Sequence, residues 1–138
     1  MILLLAPVIA LAVLGTAALL LRVQRGGQRH LVGSVVEPTR FGGPMPSILY
    51  FTGESCAICH TAQKPALRAL AASVDDAIEI REVDIAVEPA LARQYRVMSL
   101  PTTIVLDGAG EVTDINVGFA AAETLRRQLV DAGMPVAA

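Results

Sequence analysis

The spacing of apolar and polar positions changes along this chain, and each change marks a different kind of segment. Met1 to Leu21 is almost continuously apolar and carries no charge. Beyond residue 46 the apolar positions fall into short runs. Ile48 to Phe51 is a run of β-formers, the pattern of a buried strand. Thr52-Gly53-Glu54-Ser55 reads as a turn, with Ser55 as N-cap of a helix starting near Cys56. Along that helix Ala66, Leu67, Leu70 and Val74 recur at helical spacing and give one apolar face. Pro65 falls inside the pattern and predicts a kink, because it has no N–H and its ring clashes with the preceding turn.

Ala77 to Val83 reads as a second strand, ended by Asp84. Glu88-Pro89 opens a short helix, with Leu91, Ala92 and Tyr95 facing inward. Thr102 to Leu106 is a third strand rich in β-branched residues. Asp107-Gly108-Ala109-Gly110 is a hairpin turn, and Glu111 to Val117 is the strand it pairs. Ala121 to Val130 closes the series as a helix with Leu125 and Leu129 on one face. The first half needs a crossover and hence parallel pairing; the second half is a hairpin. The predicted fold class is therefore α/β, a central mixed sheet flanked by helices.

The chain divides into residues 1–21 as a transmembrane anchor, 22–46 as a tether and 47–138 as a folded domain. About 20 apolar residues suffice to cross a bilayer as a helix. A cleaved signal sequence ending near Thr16-Ala17-Ala18 is the alternative, although no basic residues precede the apolar run. In the tether, Gly26-Gly27 and Phe41-Gly42-Gly43-Pro44-Met45-Pro46 break regular structure, and Val32 to Val36 is a candidate short strand. The expectation is a single-pass protein of the plasma membrane. Arg22, Arg25 and Arg29 would put the domain in the cytoplasm by the charge rule, whereas the closely spaced pair Cys56 and Cys59, if it forms a disulfide, is favoured outside. The side stays open.

Of the 138 residues 54% are apolar, and the excess lies in the first segment. The formal net charge is −2, with no basic stripe interleaved with aromatics, so nucleic acid is not an expected partner. The arginines after residue 21 read as a headgroup-facing flank, which makes the lipid bilayer a partner through residues 1–21.

Cys56 and Cys59 are the only two cysteines. Residues i and i+3 share one helix face and are close enough to bridge. A bridge closing so short a loop constrains the unfolded chain little, which argues against a purely structural role. A second marker, Leu100-Pro101-Thr102, stands just before the third strand.

Three stretches, Ile48 to Cys59, Val83 to Val97 and Met98 to Leu106, give the region from Ser47 to Val130 a pattern that resembles the thioredoxin superfamily. The resemblance implies a thioredoxin-like fold and a thiol–disulfide oxidoreductase that acts, as a reductase, on protein disulfides and needs no cofactor. An unidentified redox donor or acceptor protein would recharge it. It implies catalytic roles for Cys56, Cys59 and a cis Pro101, and a family glycine matches Gly118. Cys56 would attack, because it lies where the unpaired N–H groups of the helix favour a thiolate, and Cys59 would resolve the mixed disulfide. The substrate groove would comprise Ser55, Ala57, Ile58, Leu100, Gly118 and Phe119. Membrane-tethered members include reductases and maturation factors for cytochromes.

The chain departs from the family at four points. Ser55 stands where the family has Trp, Ala57-Ile58 replaces Gly-Pro, Tyr50 takes the place of the buried acid, and Glu82 that of its neighbouring Lys. These departures motivate a second reading, a redox-inactive docking or chaperone module. A third arises because Cys56-Ala57-Ile58-Cys59-His60 also fits covalent c-type haem attachment, with Met45, Met98 or Met134 opposite His60. The strand-rich pattern opposes that reading. Structural zinc lacks a fourth ligand.

Overall fold

A computed structural model describes residues 12–19, 32, 44–74 and 78–135. Residues 12–19 are helical, and among the described residues no helix is long and apolar enough to cross a membrane. The candidate strand Val32 to Val36 lies outside the described residues except for Val32, which is an exposed turn residue.

The domain is built on a four-stranded sheet of β1 (Ser47–Thr52), β2 (Glu79–Asp84), β3 (Thr102–Leu106) and β4 (Val112–Val117), in the order β2-β1-β3-β4. β1 runs parallel to β2 and antiparallel to β3, and β3 pairs antiparallel with β4 through the hairpin. The helices are α1 (Lys64–Ser73), α2 (Pro89–Gln94) and α3 (Ala122–Asp131). This is the expected mixed α/β fold. β2 begins later than its apolar run suggests, at Glu79.

β1 is buried at every position, because both faces of the sheet are covered. Its alternation sends Ile48 and Tyr50 to one face, where they join Leu67 and Leu70 of α1 and Leu125 and Leu129 of α3. Leu49 and Phe51 point the other way, to Ala92 and Tyr95. There the Phe51 and Tyr95 rings stack with centroids 5.8 Å apart and planes tilted by 54°. Tyr95 is core, as its inward position predicts.

Two local expectations are corrected. Ser55 does not cap the helix that starts near Cys56. The cap is one residue later, where the Cys59 amide donates to Cys56 Sγ at 3.3 Å, while the Cys56 amide is spent on the Gly53 carbonyl at 3.0 Å. Pro65 does not kink an α-helix from within. A π-helical turn spans Cys59–Gln63, and Pro65 sits in the first turn of α1, where its missing N–H costs little. The wider turn absorbs the proline.

α3 ends in a Schellman motif: Gly133 at φ +105° donates to Val130 O, and Met134 donates to Leu129 O. Met134 is thereby buried in the core. The loop after β2 is held by Asp84, whose Oδ1 accepts from the Ala86 amide at 2.8 Å.

Candidate functional site

β1 delivers the chain to one pole of the sheet, and the turn after Thr52 carries both cysteines there. Gly53 lets this turn approach Leu100 closely: a Cβ on it would lie 3.0 Å from Leu100 Cδ1, which would have to give way by a few tenths of an ångström. Cys56 and Cys59 are joined by a disulfide with Cα atoms 5.3 Å apart. Their environments differ. Cys59 is fully buried in the core, whereas Cys56 is only partly buried at its margin. Cys56 is the more accessible of the two.

The register Phe51↔Thr102 brings the cis Leu100–Pro101 bond to the same pole as the cysteine turn. Pro101 O accepts from Gly118 N at 2.8 Å, which ties the end of β4 to it. Gly118 has φ +89°, a conformation that favours glycine. Of the predicted groove residues, Ser55, Ala57, Ile58 and Phe119 are exposed, with Ile58 and Phe119 each 54% exposed. Leu100 is half-buried and packs against both cores, so much of its side chain serves the interior.

Behind the disulfide lies Tyr50. Its hydroxyl donates to the Cys59 carbonyl at 2.9 Å and its oxygen lies 3.3 Å from Thr52 Oγ1, whose hydroxyl can donate to it. The same carbonyl accepts the Lys64 amide across the π-turn. Burial pushes the Tyr50 phenol above its ordinary value, with Glu82 adding to the rise. Glu82, opposite Tyr50 in the β1–β2 register, is paired with Lys64 at 2.9 Å. A cavity of about 220 Å³ lined by Tyr50, Lys64, Arg68, Ile80 and Glu82 opens beside them. His60 is exposed, with Nε2 3.2 Å from the Glu54 carbonyl.

Three further residues stand at or near this pole; sequence named Met98 only as a candidate haem ligand and Thr102 only within the Leu100-Pro101-Thr102 marker, and it did not single out Gln63. Met98, three residues before Pro101, is 83% exposed. Thr102 fastens the same loop, donating to Ser99 O at 2.7 Å. Gln63 is fully buried and pairs twice with the backbone of Ala120. Its signal was in the sequence: a polar residue in helical phase with Cys59, Leu67 and Leu70.

Residues 44–131 match the thioredoxin family. The chain belongs to the thioredoxin family. It is 32% identical over 93 residues to a thioredoxin of Mycolicibacterium smegmatis, covering 66% of this chain and 81% of that one. Against a thioredoxin of Staphylococcus epidermidis the identity is 40% over 65 residues, which span 47% of this chain and 62% of that relative's length. Among solved structures, this thioredoxin-family chain is similar to a malarial protein, with a TM-score of 0.59 and 26% identity, covering 65% of this chain and 99% of that one. It is also similar to thioredoxin-2, described as a component of malaria parasite protein secretion machinery, with a TM-score of 0.58, 26% identity and coverage of 63% and 82%. StoA from Bacillus subtilis shares the fold at a TM-score of 0.52 and 18% identity, with coverage of 63% and 84%. Family membership and the Cys56–Cys59 disulfide are together consistent with thiol–disulfide oxidoreductase chemistry.

Proposed function

We propose that this protein is a membrane-attached reductase of protein disulfides, with Cys56 as the attacking thiol and Cys59 as the resolving one. The observation that carries the reading is the asymmetry of the pair: an accessible Cys56 bonded to a fully buried Cys59. Only the outer sulfur can meet a protein substrate. Only the inner one, one turn away, is protected from side reactions while it waits.

In the reduced state the Cys59 amide and the start of the helix favour a thiolate at Cys56. That thiolate attacks one sulfur of a substrate disulfide. The substrate S–S bond breaks, one substrate thiolate leaves and takes a proton from solvent, and a mixed disulfide forms. Cys59 then loses its proton to solvent and attacks Cys56 Sγ, releasing the second substrate thiolate as the intramolecular disulfide closes. Two electrons pass to the substrate, and a dithiol donor protein returns them. Pro101 serves by leaving no backbone N–H beside the sulfurs, and Ile58 and Phe119 offer apolar contact.

Attachment through residues 1–21 is supported by the uncharged run and by helical residues 12–19, whose Val13 and Leu14 are exposed. Pro44 O approaches the β3–β4 turn at Gly108, at the end of the sheet remote from Cys56. Labelling the reduced protein in intact cells with an impermeant thiol reagent decides which side of the plasma membrane carries it.

The deciding experiment equilibrates the full chain with dithiothreitol or glutathione and traps its thiols for mass analysis. A two-thiol couple at about −270 mV or below is the expected reductant, while a value above about −180 mV would make it an oxidant or isomerase. Absence of a reversible couple would leave a docking module.

A further inference from the structure

Gln63 is the only fully buried side chain at the redox pole that is polar without being part of the cysteine chemistry or of the sheet's own strands, among the described residues. Its Nε2 donates to Ala120 O at 3.0 Å and its Oε1 accepts from Ala120 N at 2.8 Å. A primary amide presents a donor and an acceptor side by side, as a neighbouring strand would. Here it satisfies both backbone groups of one residue that lies beyond the end of β4 and before α3. The partners are 57 residues apart in sequence.

The position of this clamp gives it a consequence for substrate. On one side, Gln63 closes the π-turn that Cys59 opens. On the other, Ala120 is followed back along the chain by exposed Phe119 and by Gly118, whose amide is bound to Pro101 O. Phe119 is thus held between two fixed points, one on the cysteine helix and one on the cis-proline loop. Ala120 itself packs in the core cluster that contains Cys59. Without Gln63 the segment would keep only the Gly118 hydrogen bond and the packing of Ala120, and the two buried backbone groups would lose these partners.

We propose that Gln63 is a positioning residue for substrate selection: its double hydrogen bond to Ala120 holds Phe119 as a fixed apolar lip of the site, so that polypeptide disulfides are favoured over small ones. This rests on the reductase reading above. Gln63 touches neither sulfur nor substrate, so it acts on docking and not on the exchange step. A rigid lip lowers the ordering cost of binding an extended partner, and a small disulfide that reaches Cys56 without touching Phe119 gains nothing from it.

The test compares second-order rate constants of the pre-reduced full chain with insulin, a polypeptide disulfide, and with hydroxyethyl disulfide. Two variants remove the clamp differently. Gln63→Met preserves volume and loses both hydrogen bonds, and Gln63→Glu preserves shape and loses the donor to Ala120 O. Each is expected to slow insulin about tenfold while moving the small disulfide less than about twofold. Phe119→Ala, which leaves the clamp in place, must reproduce that selective loss, and the double variants must be no worse than Phe119→Ala alone. Parallel losses on both probes, or additive losses in the double variants, would overturn the assignment and leave Gln63 a structural tie. If neither Gln63 variant folds, an unchanged insulin rate in Phe119→Ala still overturns it, and a selective loss there upholds the lip. A wild-type chain that reduces neither probe overturns the reductase reading itself, and this assignment with it.

Discussion

The Tyr50 hydroxyl donates to the carbonyl oxygen of Cys59 at 2.9 Å, joining the strand that precedes the redox turn to the buried cysteine of that turn. A π-turn carbonyl receives the amide five residues on, here that of Lys64, and this one receives the phenol as well. Tyr50 therefore acts on Cys59 as a neutral donor, where the family pattern has an acid.

Tyr50→Phe tests that bond with little change in volume. A loss of about 0.5–1.5 kcal/mol of unfolding free energy is expected, measured by urea titration of the oxidised protein. Stability unchanged within error would mean that the hydroxyl contributes nothing to the turn.

The same tyrosine sets an alkaline signature. Burial raises the phenols of both Tyr50 and Tyr95 above the ordinary value of 10.0. The folded state then holds protons that the unfolded state releases, so stability is full below pH 10.0 and falls as pH rises beyond it. Tyr50→Phe should flatten part of that fall. An equally steep alkaline decline in the variant would assign it to other groups.

Asp114 on β4 gives the acid-side counterpart. Desolvation raises its pKa above 3.8, Asp131 adds to the rise, and a hydrogen bond from Gln128 opposes it. A carboxyl raised on folding burdens the folded state at neutral pH, and the burden lifts as pH falls through its folded pKa. Asp114→Asn should therefore raise the denaturation midpoint at pH 7, with the gain shrinking toward pH 4. A gain independent of pH would point to changed packing and not to charge.

Gly108 reports on the opposite pole. A Cβ there would lie 2.8 Å from Pro44 O, which is backbone and has little room to yield. Gly108→Ala should cost about 1–3 kcal/mol, the usual range for overpacking. A neutral substitution would show that the segment at Pro44 is not packed against the hairpin.

For the chemistry itself, Cys59→Ser should stop turnover after the first exchange and trap a mixed disulfide between Cys56 and insulin, visible as a mass adduct that dithiothreitol removes. Absence of an adduct at Cys56, or turnover near wild type, would sink the assigned order of attack.

Sequence by itself determined the framework. Strand periodicity in Ile48 to Phe51 and Thr102 to Leu106, the hairpin at Asp107 to Gly110 and the apolar stripes at Leu67–Leu70 and Leu125–Leu129 all stand in the structure. Such signals are local, because a strand or helix must repeat its apolar side chains at the period of its own backbone. The CxxC spacing likewise fixed which sulfurs meet, since one helical turn brings them together.

What the tertiary structure decided is what depends on partners distant in the chain. Burial separated a fully enclosed Cys59 from a partly exposed Cys56, a difference in accessibility that the CxxC spacing does not carry. Packing turned Leu100 largely inward and left Met98 in solvent. The cap passed from Ser55 to Cys56, the expected kink at Pro65 gave way to a π-turn, and Cys59 O and Gln63 found partners in Tyr50 and Ala120. No local rule could supply those bonds. A buried polar group takes whatever donor or acceptor the fold brings beside it, and only the assembled sheet and helices determine which one that is.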